Sequence, residues 1–534
     1  MVIKETAVEK PQHSENRHLV LALSGIIMSI LLVALDQTIV NPAMPRIVEE
    51  LQGFSLFAWV STAYLLTSTA TIPIAGKLGD MFGRKTLLLI AVFVFVGFSA
   101  LSGAAPSMVW LVIFRAFQGI GAGMLQSNAF AMIAELFPNP AKRARWQGFI
   151  AAAFGFSSLL GPALGGFITD NLDWRWVFYV NVPVGVVAVL ALIFNLPKST
   201  PSGARKVDWL GSFFMTGSVV SLLLALTWGG HTEPNGYAWN SPQILGLFGI
   251  AVIMLLVFLF VETRAAEPII PLKLFTNKAV SVIAVVSFTT GATMLGATLF
   301  IPLFIQVVKG QSASSSGALT TPLALAMVSA NILTGQFIGR VGHLKWPFIS
   351  GSIMAVVGML LMLTIDTNTS LLAVTVYMMV MGFGLGQVMP SMTIVVQESI
   401  SRRELGVGIS SVQFFRSIGS TMGVAVIGTI VTNSYASAIT AAPAAAGLPA
   451  KLLETISEPQ NLLNAKVAAS LPESLVDTVR TLLTAAIHSG LLVSTGVAVV
   501  VFLAALFVPS IRIKSGGKKQ KSSEPAVAEK ELVA

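Results

Sequence analysis

The chain has 534 residues, of which 54% are hydrophobic and only 11% are Asp, Glu, Lys or Arg. Soluble domains carry about 25% charged residues, so this chain cannot cover a globular surface with charge. Because the apolar residues recur in blocks along the whole length, a soluble enzyme with one anchoring helix is also excluded. About 20 apolar residues cross a bilayer as a helix, and the composition therefore predicts an all-α polytopic membrane protein.

The residues that usually carry enzymatic chemistry are scarce. The chain has no cysteine, which excludes disulfides, thiolate metal sites and a cysteine nucleophile. Its five histidines never stand at the i, i+4 spacing of two metal ligands on one helix face. The pair Gly76-Lys77 lacks the preceding glycine of a phosphate-binding loop. We therefore predict that the chain is not an enzyme, holds no metal or cofactor and does not use ATP directly.

Apolar runs bounded by charges, proline or glycine predict fourteen transmembrane helices. They lie near 18–41, 55–76, 86–105, 108–135, 147–169, 176–196, 208–228, 243–261, 279–307, 318–339, 347–365, 371–396, 407–431 and 483–508. Most of the 33 basic residues fall in the two tails and in alternate connections. An even number of helices puts both termini on one side, and the positive-inside rule makes that side cytoplasmic. The expected location is the inner or plasma membrane of the cell.

The connection after the second predicted helix has a specific pattern. Gly76 and Gly83 allow a tight reversal, and Asp80 is followed by two bases that can exchange ion pairs with it. This stretch resembles the signature loop of the major facilitator superfamily, although Met81 stands where that family often has arginine. The resemblance implies a cytoplasmic gating loop made of Gly76, Asp80, Gly83, Arg84, Lys85 and Glu135.

The second half of the chain repeats these features in a weaker form. Gly339 stands where the loop acid would be, and Glu398 ends the twelfth helix as Glu135 ends the fourth. Such transporters are built from repeated halves, so we predict the major facilitator fold, with two six-helix bundles and two extra central helices. The predicted domains are a cytoplasmic tail 1–17, an N-terminal bundle 18–196, two inserted helices with linkers 197–278, a C-terminal bundle 279–510 and a basic tail 511–534.

Two segments lie outside the predicted helices. The outer connection 433–482 is interpreted as a helical cap, with an accessory partner site as the alternative, and its part 471–482 predicts a short amphipathic helix. The lysines of the C-terminal tail predict contact with the lipid bilayer and no binding of nucleic acid. They are Lys514, Lys518, Lys519 and Lys521.

The fifth predicted helix is rich in small residues, which let neighbouring backbones approach closely. Helix packing alone would explain the glycines. The Gly-Pro-x-x-Gly-Gly ending, however, resembles the antiporter motif of the superfamily, which is associated with exporters. A proline bend and a glycine hinge would let this helix tilt. The motif residues are Gly155, Gly161, Pro162, Gly165 and Gly166.

Further stretches at 35–45 and 174–183, together with fourteen predicted helices, make the chain similar to the EmrB/QacA-type drug:proton antiporters. The resemblance implies alternating access, with drugs or other lipophilic or cationic compounds leaving the cell as protons enter. A dedicated exporter of one metabolite, lipid or antibiotic is the alternative on the same fold. A membrane scaffold or sensor without transport is a more distant one. In a Gram-negative cell, a periplasmic adaptor would be an additional partner.

Asp36 is the one carboxylate predicted to lie well inside a helix, where a charge costs about 2.5 to 3.5 kcal/mol on the insertion scale. Burial favours the neutral form of a carboxyl group, so Asp36 is a candidate for proton exchange. At 1.5 Å per residue, Asp36 and Arg115 lie at similar depth, and we expect them to pair. Two interpretations stay open: a static bridge between two helices, or a switch in which protonation of Asp36 frees Arg115.

Arg416 is a second basic residue inside a predicted helix, and no acid in its half faces it. Both coupling to protons and pairing with a substrate anion or a carbonyl group are retained as its role. The 20 Met and 32 Phe residues are typical of a deformable apolar cavity, although most of them pack helices or face lipid. With Asp36 as the one acid of such a cavity, monovalent lipophilic cations are the expected substrates.

Overall fold

The computed structural model is helical in nearly all of the chain that it describes. The described residues are 12–52, 56–137, 139–197, 207–230, 236–311, 313–401, 404–442, 453, 456–457, 462 and 473–511. Within them, the extended structure is one isolated bridge between Gly229 and Tyr237. The predicted basic tail beyond Ile511 and about half of the predicted outer connection 433–482 lie outside the described residues. The all-α prediction is confirmed.

Fifteen α-helices follow one another in the described chain. They are α1 (Gln12–Leu51), α2 (Phe57–Phe82), α3 (Arg84–Gly103), α4 (Met108–Leu136), α5 (Pro140–Asn171), α6 (Trp176–Tyr179), α7 (Asn181–Asn195), α8 (Trp209–Trp228), α9 (Pro242–Glu262), α10 (Lys278–Leu303), α11 (Ala313–Val341), α12 (Lys345–Met362), α13 (Leu371–Ser399), α14 (Leu405–Ala441) and α15 (Glu473–Leu506).

Twelve of the described helical segments are long and apolar enough to cross a membrane. The two other predicted positions are occupied by α2 and α10, which are 26 residues each. Helix α2 is rich in hydroxyl side chains, and one of them bonds to a neighbouring helix: Thr67 donates to the carbonyl of Ala116 in α4 at 2.7 Å. The multi-pass prediction is therefore confirmed, and the number of fourteen spans stays a prediction.

The last two helices are longer than predicted. Helix α14 continues to Ala441, beyond the predicted end at 431. The described part of the predicted short amphipathic helix, 473–482, is the beginning of α15, which continues without a break to Leu506. The buried positions Leu475, Val479 and Leu483 follow at i, i+4 spacing, so one apolar stripe runs through both segments. The prediction of a separate short helix was wrong.

The sixth predicted helix is interrupted. It is divided at Val180 into α6 and α7. Pro183 lacks the backbone N–H that would bond to the carbonyl of Tyr179 in a continuous helix, which accounts for the break at this position. Asn181 begins α7 and is fully buried, so the break turns an amide side chain into the interior.

The helices pack around separate hydrophobic cores. One cluster of buried residues lies between positions 22 and 196, and another lies between 300 and 498. A third joins the inserted helices α8 and α9 to α2 and α14, with Val219 and Phe258 against Leu66 and Phe414. The predicted domains and their limits stay predictions.

Candidate functional site

Asp36 in α1 and Arg115 in α4 form a buried ion pair. The distance between Nη1 of Arg115 and Oδ2 of Asp36 is 2.5 Å, and the two side chains are 2% and 0% exposed. Equal depth in two neighbouring helices predicted this contact, and the structure brings the two groups together. Their role in proton coupling stays a prediction.

Three polar side chains complete the surroundings of the pair. Gln118 donates from Nε2 to Oδ1 of Asp36 at 2.9 Å and accepts from Nη1 of Arg115 at 2.9 Å. Asn181 donates to the same Oδ1 at 3.1 Å and to the hydroxyl of Ser99 at 3.0 Å. Both oxygens of the Asp36 carboxylate are thus occupied. A charge that is satisfied in this way and has no exposed surface does not face a substrate cavity in this conformation.

Sequence reasoning missed these polar partners, although signals for two of them were present. Gln118 stands three residues after Arg115, and side chains at that spacing share a helix face. Asn181 lies directly before Val182-Pro183, where the chain changes direction. Ser99, in α3, gave no such signal because serines in apolar helices usually bond to their own backbone.

Arg115 has partners besides Asp36. Its Nε donates to the carbonyl of Val60 at 3.2 Å. Its guanidinium carbon lies 4.3 Å from the centre of the Tyr64 ring and 5.9 Å from that of Phe178. A cation over an aromatic face is stabilised by about 0.5–2 kcal/mol. Arg115 can therefore stay charged and held in place when Asp36 is neutral.

Helix α5 packs directly on the segment of α1 that follows Asp36. Thr38 donates from its hydroxyl to the carbonyl of Ser157 at 2.9 Å. A Cβ atom added at Gly161 would lie 2.6 Å from Cβ of Thr38, and one at Gly165 would lie 3.1 Å from the carbonyl carbon of Ile39. Two predicted motif glycines are thus required by the contact with α1.

The other residues of the predicted antiporter motif have different surroundings. A Cβ atom at Gly155 would lie 3.3 Å from Ala324 in α11, whereas one at Gly166 would meet nothing within 4 Å. Pro162 is exposed. Only part of the motif therefore serves close packing on α1.

Asp80, near the end of α2, caps the beginning of α14. Its Oδ1 accepts the backbone N–H of Gly406 and its Oδ2 accepts that of Val407, each at 3.1 Å. These belong to the first N–H groups of α14, which have no partner within their own helix. Burial raises the pKa of the Asp80 carboxyl group above its ordinary range, and Arg84 opposes this effect. The predicted halves are joined through this carboxyl group.

The bases of the predicted gating loop bind different partners. Arg84 donates to Asp80 at 2.6 Å, which is the contact expected of the motif, and also to Glu135 at 3.1 Å. Lys85 donates instead to the carbonyls of Ile193 and Leu196 at the end of α7, at 2.8 and 2.5 Å. A cation at a helix C-terminus is favoured by the helix dipole and by the unpaired carbonyls there. The loop is therefore tied to α4 and α7 as well as to α14.

The two loop glycines are both required by geometry. Gly83 has a φ angle of 92°, in the left-handed region that glycine adopts readily, and it lets the chain reverse between α2 and α3. A Cβ atom at Gly76 would lie 2.6 Å from Cβ of Ser410 and 2.8 Å from the carbonyl oxygen of Gly406. Helix α2 can therefore approach α14 closely at this point.

A second contact joins the predicted halves at the same end of the bundle. Arg143 in α5 forms an ion pair with Glu398 in α13 and donates to Oε1 of Gln397 at 2.8 Å. We call the end that carries Asp80, Arg84 and Arg143 the basic end. In this conformation the described residues close the bundle at the basic end, which is the predicted cytoplasmic side.

Arg416 in α14 lies apart from these networks. In the described part of the chain it forms no ion pair, and its Nη1 lies 3.9 Å from the sulfur of Met389.

A cavity of about 450 Å³ lies between α1, α5 and α11, and its walls are almost entirely apolar. Residues on its wall include Leu31, Phe149, Phe156 and Leu325. Asp36 is not among its lining residues, so the expected joint cavity of carboxylate and apolar surface is not formed here.

Comparison with known proteins identifies a family. The model of the Major Facilitator Superfamily matches residues 26–424. Multidrug transporter protein MdtP of Bacillus subtilis (strain 168) is 38% identical over 527 residues, which cover 94% of this chain and 96% of that protein. Multidrug resistance protein 3 of the same organism is 36% identical over 503 residues, covering 93% and 97%. The crystal structure of the human organic anion transporter MFSD10 (TETRAN) has a TM-score of 0.61 at 13% identity, covering 93% and 100%.

Proposed function

Because the chain belongs to the Major Facilitator Superfamily, we propose that it exports drugs or other lipophilic compounds across the cell membrane in exchange for protons. It is a transporter and not an enzyme, and two relatives that match it over nearly their whole length are named for multidrug transport or resistance. Proton coupling is our addition. The observation that carries it is the buried Asp36–Arg115 pair, which lies beside the contact between α1 and α5.

Asp36 is the group that takes up the proton in this mechanism. Neutralisation of its carboxylate removes the attraction to Arg115, which keeps the Val60 carbonyl and the Tyr64 ring as partners. The hydrogen bonds from Gln118 and Asn181 then rearrange around a carboxyl group that has become a donor. Since Thr38 and Ile39 of the same helix turn pack on α5, this rearrangement is transmitted to the helix with the antiporter motif.

The substrate occupies apolar surface and not the Asp36 site. Asp36 is fully enclosed, so a bound cation would have to displace Arg115 and two amide side chains. The cavity between α1, α5 and α11 offers apolar walls that bind lipophilic compounds of varied shape. We therefore assign the proton to Asp36 and the drug to the apolar cavity between α1, α5 and α11. This assignment removes the main reason to expect cationic substrates.

The direction of transport follows from the predicted orientation. With both termini cytoplasmic, the basic end faces the cytoplasm, and the structure described here is closed on that side. Release of the substrate to the outside and entry of protons from there belong to states in which this end is closed. Opening of the basic end then requires Asp80 to leave α14 and Arg143 to leave Glu398. A proton moving inward supplies about 2.3 kcal/mol per charge per 100 mV.

Inverted membrane vesicles test the proposal. Addition of a substrate to energised vesicles that contain the wild type should release protons, and uptake of the substrate should stop on addition of an uncoupler. Asp36→Asn should lose both signals, whereas Asp170→Asn, which changes an exposed carboxylate at the end of α5, should keep them. Coupled transport at the wild-type rate by Asp36→Asn would refute the role of Asp36.

The same vesicles distinguish the alternatives. A panel of unrelated dyes and biocides should be transported by a multidrug exporter, whereas a dedicated exporter would move a single compound. A resistance phenotype that persists in Asp36→Asn, with no compound transported, would instead support a scaffold or sensor.

A further inference from the structure

Two acidic side chains meet where the inserted helices α8 and α9 reach the basic end. Asp208 precedes α8 and caps it, because its Oδ1 accepts the N–H of Gly211 at 2.8 Å. Glu262 is the last residue of α9 and is 4% exposed. Its Oε1 accepts the N–H of Ile270, in the turn that follows α9. Each carboxyl group therefore uses one oxygen to hold backbone.

The remaining oxygen of each group is buried and has no donor. Neither Oδ2 of Asp208 nor Oε2 of Glu262 has a hydrogen-bond partner in the described part of the chain. Both lie beside Gly211, where an added Cβ atom would be 3.1 Å from Oε2 of Glu262 and would overlap Oδ2 of Asp208. The two free oxygens therefore lie close together beside the first turn of α8. Two ionised carboxylates would repel at this separation.

No described cation offsets that repulsion. The charged groups on the elements around the pair are Lys77 and Asp80 of α2, Arg416 of α14, Arg264 and Glu267 of the turn 263–271, and Lys273. Lys77 is paired with Glu267 at 2.7 Å, and Arg264 lies over the ring of Phe260 at 4.4 Å. Among the described residues, none of these groups forms an ion pair with Asp208 or Glu262. A proton placed between the two free oxygens satisfies both at once.

We propose that Asp208 and Glu262 form a proton-binding site in the inserted helix pair, separate from Asp36, in which the two carboxyl groups share one proton. The proposal does not depend on transport, because it concerns the state of the protein at rest.

The site is connected to the gating loop through the turn 263–271. Glu262 holds this turn at Ile270, and Glu267 of the same turn binds Lys77. Lys77 lies between Gly76 and Asp80, which both contact α14. Loss of the shared proton places two negative charges together beneath the turn, so the turn is expected to loosen as the pH rises. The inserted helices thereby report the cytoplasmic proton concentration to the gating loop.

Labelling with a hydrophobic carbodiimide tests the site, since this reagent modifies protonated carboxyl groups in apolar surroundings. In purified wild-type protein in lipid nanodiscs, peptide mapping should find Glu262 or Asp208 modified, with a rate that falls between about pH 5 and about pH 8. Glu267, which is paired with Lys77, serves as the internal control and should stay unmodified. Absence of modification at both Glu262 and Asp208, or a rate independent of pH, would overturn the proposal.

The variant Asp208→Asn sharpens the test. Asparagine can still cap α8, and its amide donates to Glu262, which can then stay ionised. Modification of Glu262 at neutral pH should fall about tenfold, and an unchanged rate would contradict proton sharing. Replacement of choline by sodium in the buffer is the test for a metal cation. If sodium protects Glu262 at constant pH, the site binds a cation and the proton proposal fails.

The connection to the turn has its own readout, because the chain has no cysteine and an introduced one is unique. Ile269, in the turn, is 2% exposed. Ile269→Cys should react with a maleimide faster as the pH rises, after correction for the ionisation of the thiol. In the background of Glu262→Gln, whose amide imitates the protonated acid, the corrected rate should not change with pH. If the corrected maleimide rate depends equally on pH in both backgrounds, the state of the Asp208–Glu262 pair does not affect the turn.

Discussion

The contact between α1 and α5 can be tested with two neighbouring glycines. In Gly165→Ala the new methyl group overlaps the backbone carbonyl of Ile39, which cannot rotate away, so α1 and α5 must separate. In Gly166→Ala the methyl group meets nothing within 4 Å. The two substitutions have the same chemistry and occur in the same motif. They differ only in the side of α5 on which the methyl group stands.

The expected difference follows from packing energies. Overpacking of a close contact costs about 1–3 kcal/mol, whereas alanine in place of glycine within an exposed helix face stabilises by about 1 kcal/mol. Gly165→Ala should therefore lower the thermal midpoint in nanodiscs, and Gly166→Ala should leave it unchanged or raise it. If the closed contact is part of the transport cycle, 1–3 kcal/mol corresponds to a loss of about 5- to 150-fold in its population. Proton-coupled uptake in vesicles should fall accordingly in Gly165→Ala alone.

Similar behaviour of the two variants would refute this reasoning. If both lose transport, the motif requires glycine for flexibility, since packing distinguishes the two positions and flexibility does not. If both keep transport and stability, α5 does not pack on α1 as described. A second pair, Gly161→Ala against Gly97→Ala in α3, repeats the comparison, because a Cβ atom at Gly97 also meets nothing within 4 Å.

Three further predictions concern the basic end, the ion pair and the outer end. Gly76→Ala should weaken closure of the basic end by about 1–3 kcal/mol, seen as longer spin-label distances across that end; unchanged distances would contradict it. Asp36→Asn and Arg115→Gln should be coupled by about 0.5–3 kcal/mol in a double-mutant cycle of unfolding, and additive effects would show that the two charges do not stabilise each other. Hydrogen bonding from Arg175 lowers the pKa of Glu50 from 4.5. This contact stabilises the fold above the ordinary pKa and is lost as the pH falls through the lowered one. Glu50→Gln should therefore remove about 0.5 kcal/mol of acid-dependent stability. If the thermal midpoints of the wild type and of Glu50→Gln fall equally as the pH is lowered, this effect is excluded.

The pairing of Asp36 with Arg115 could be predicted because helix geometry fixes depth. A rise of 1.5 Å per residue places each residue along the membrane normal once the helix ends are known. The partners Gln118, Asn181 and Ser99 could not be predicted in the same way. Their contacts depend on which helices are neighbours and on how each is rotated, and hydrophobic periodicity contains little of this information in helices that are apolar on all sides.

The misplaced boundary before the last helix has a related cause. The segment 473–482 contains Glu473, Asp477 and Arg480, which made it resemble a surface helix in the sequence. Charged residues indicate where a segment leaves the membrane, and they contain no information on whether the helix continues beyond it. The buried stripe through Leu475 and Val479 continues into the apolar part of α15. Charge thus marks the membrane boundary in this chain but does not mark the end of a helix.

The distribution of charge also explains where the bundle can open. At the basic end, the predicted halves meet through Asp80 and through the pair of Arg143 and Glu398, while the inserted helices meet α2 through Lys77 and Glu267. Glu398 and Glu267 are 28% and 37% exposed, whereas their partners Arg143 and Lys77 are 6% and 15% exposed, so only the carboxylate side of each pair reaches the surface. On opening, water can hydrate the separated charges, whereas separated apolar side chains would lose their burial without compensation. We infer that the few charges of this chain are placed where reversible contact is needed.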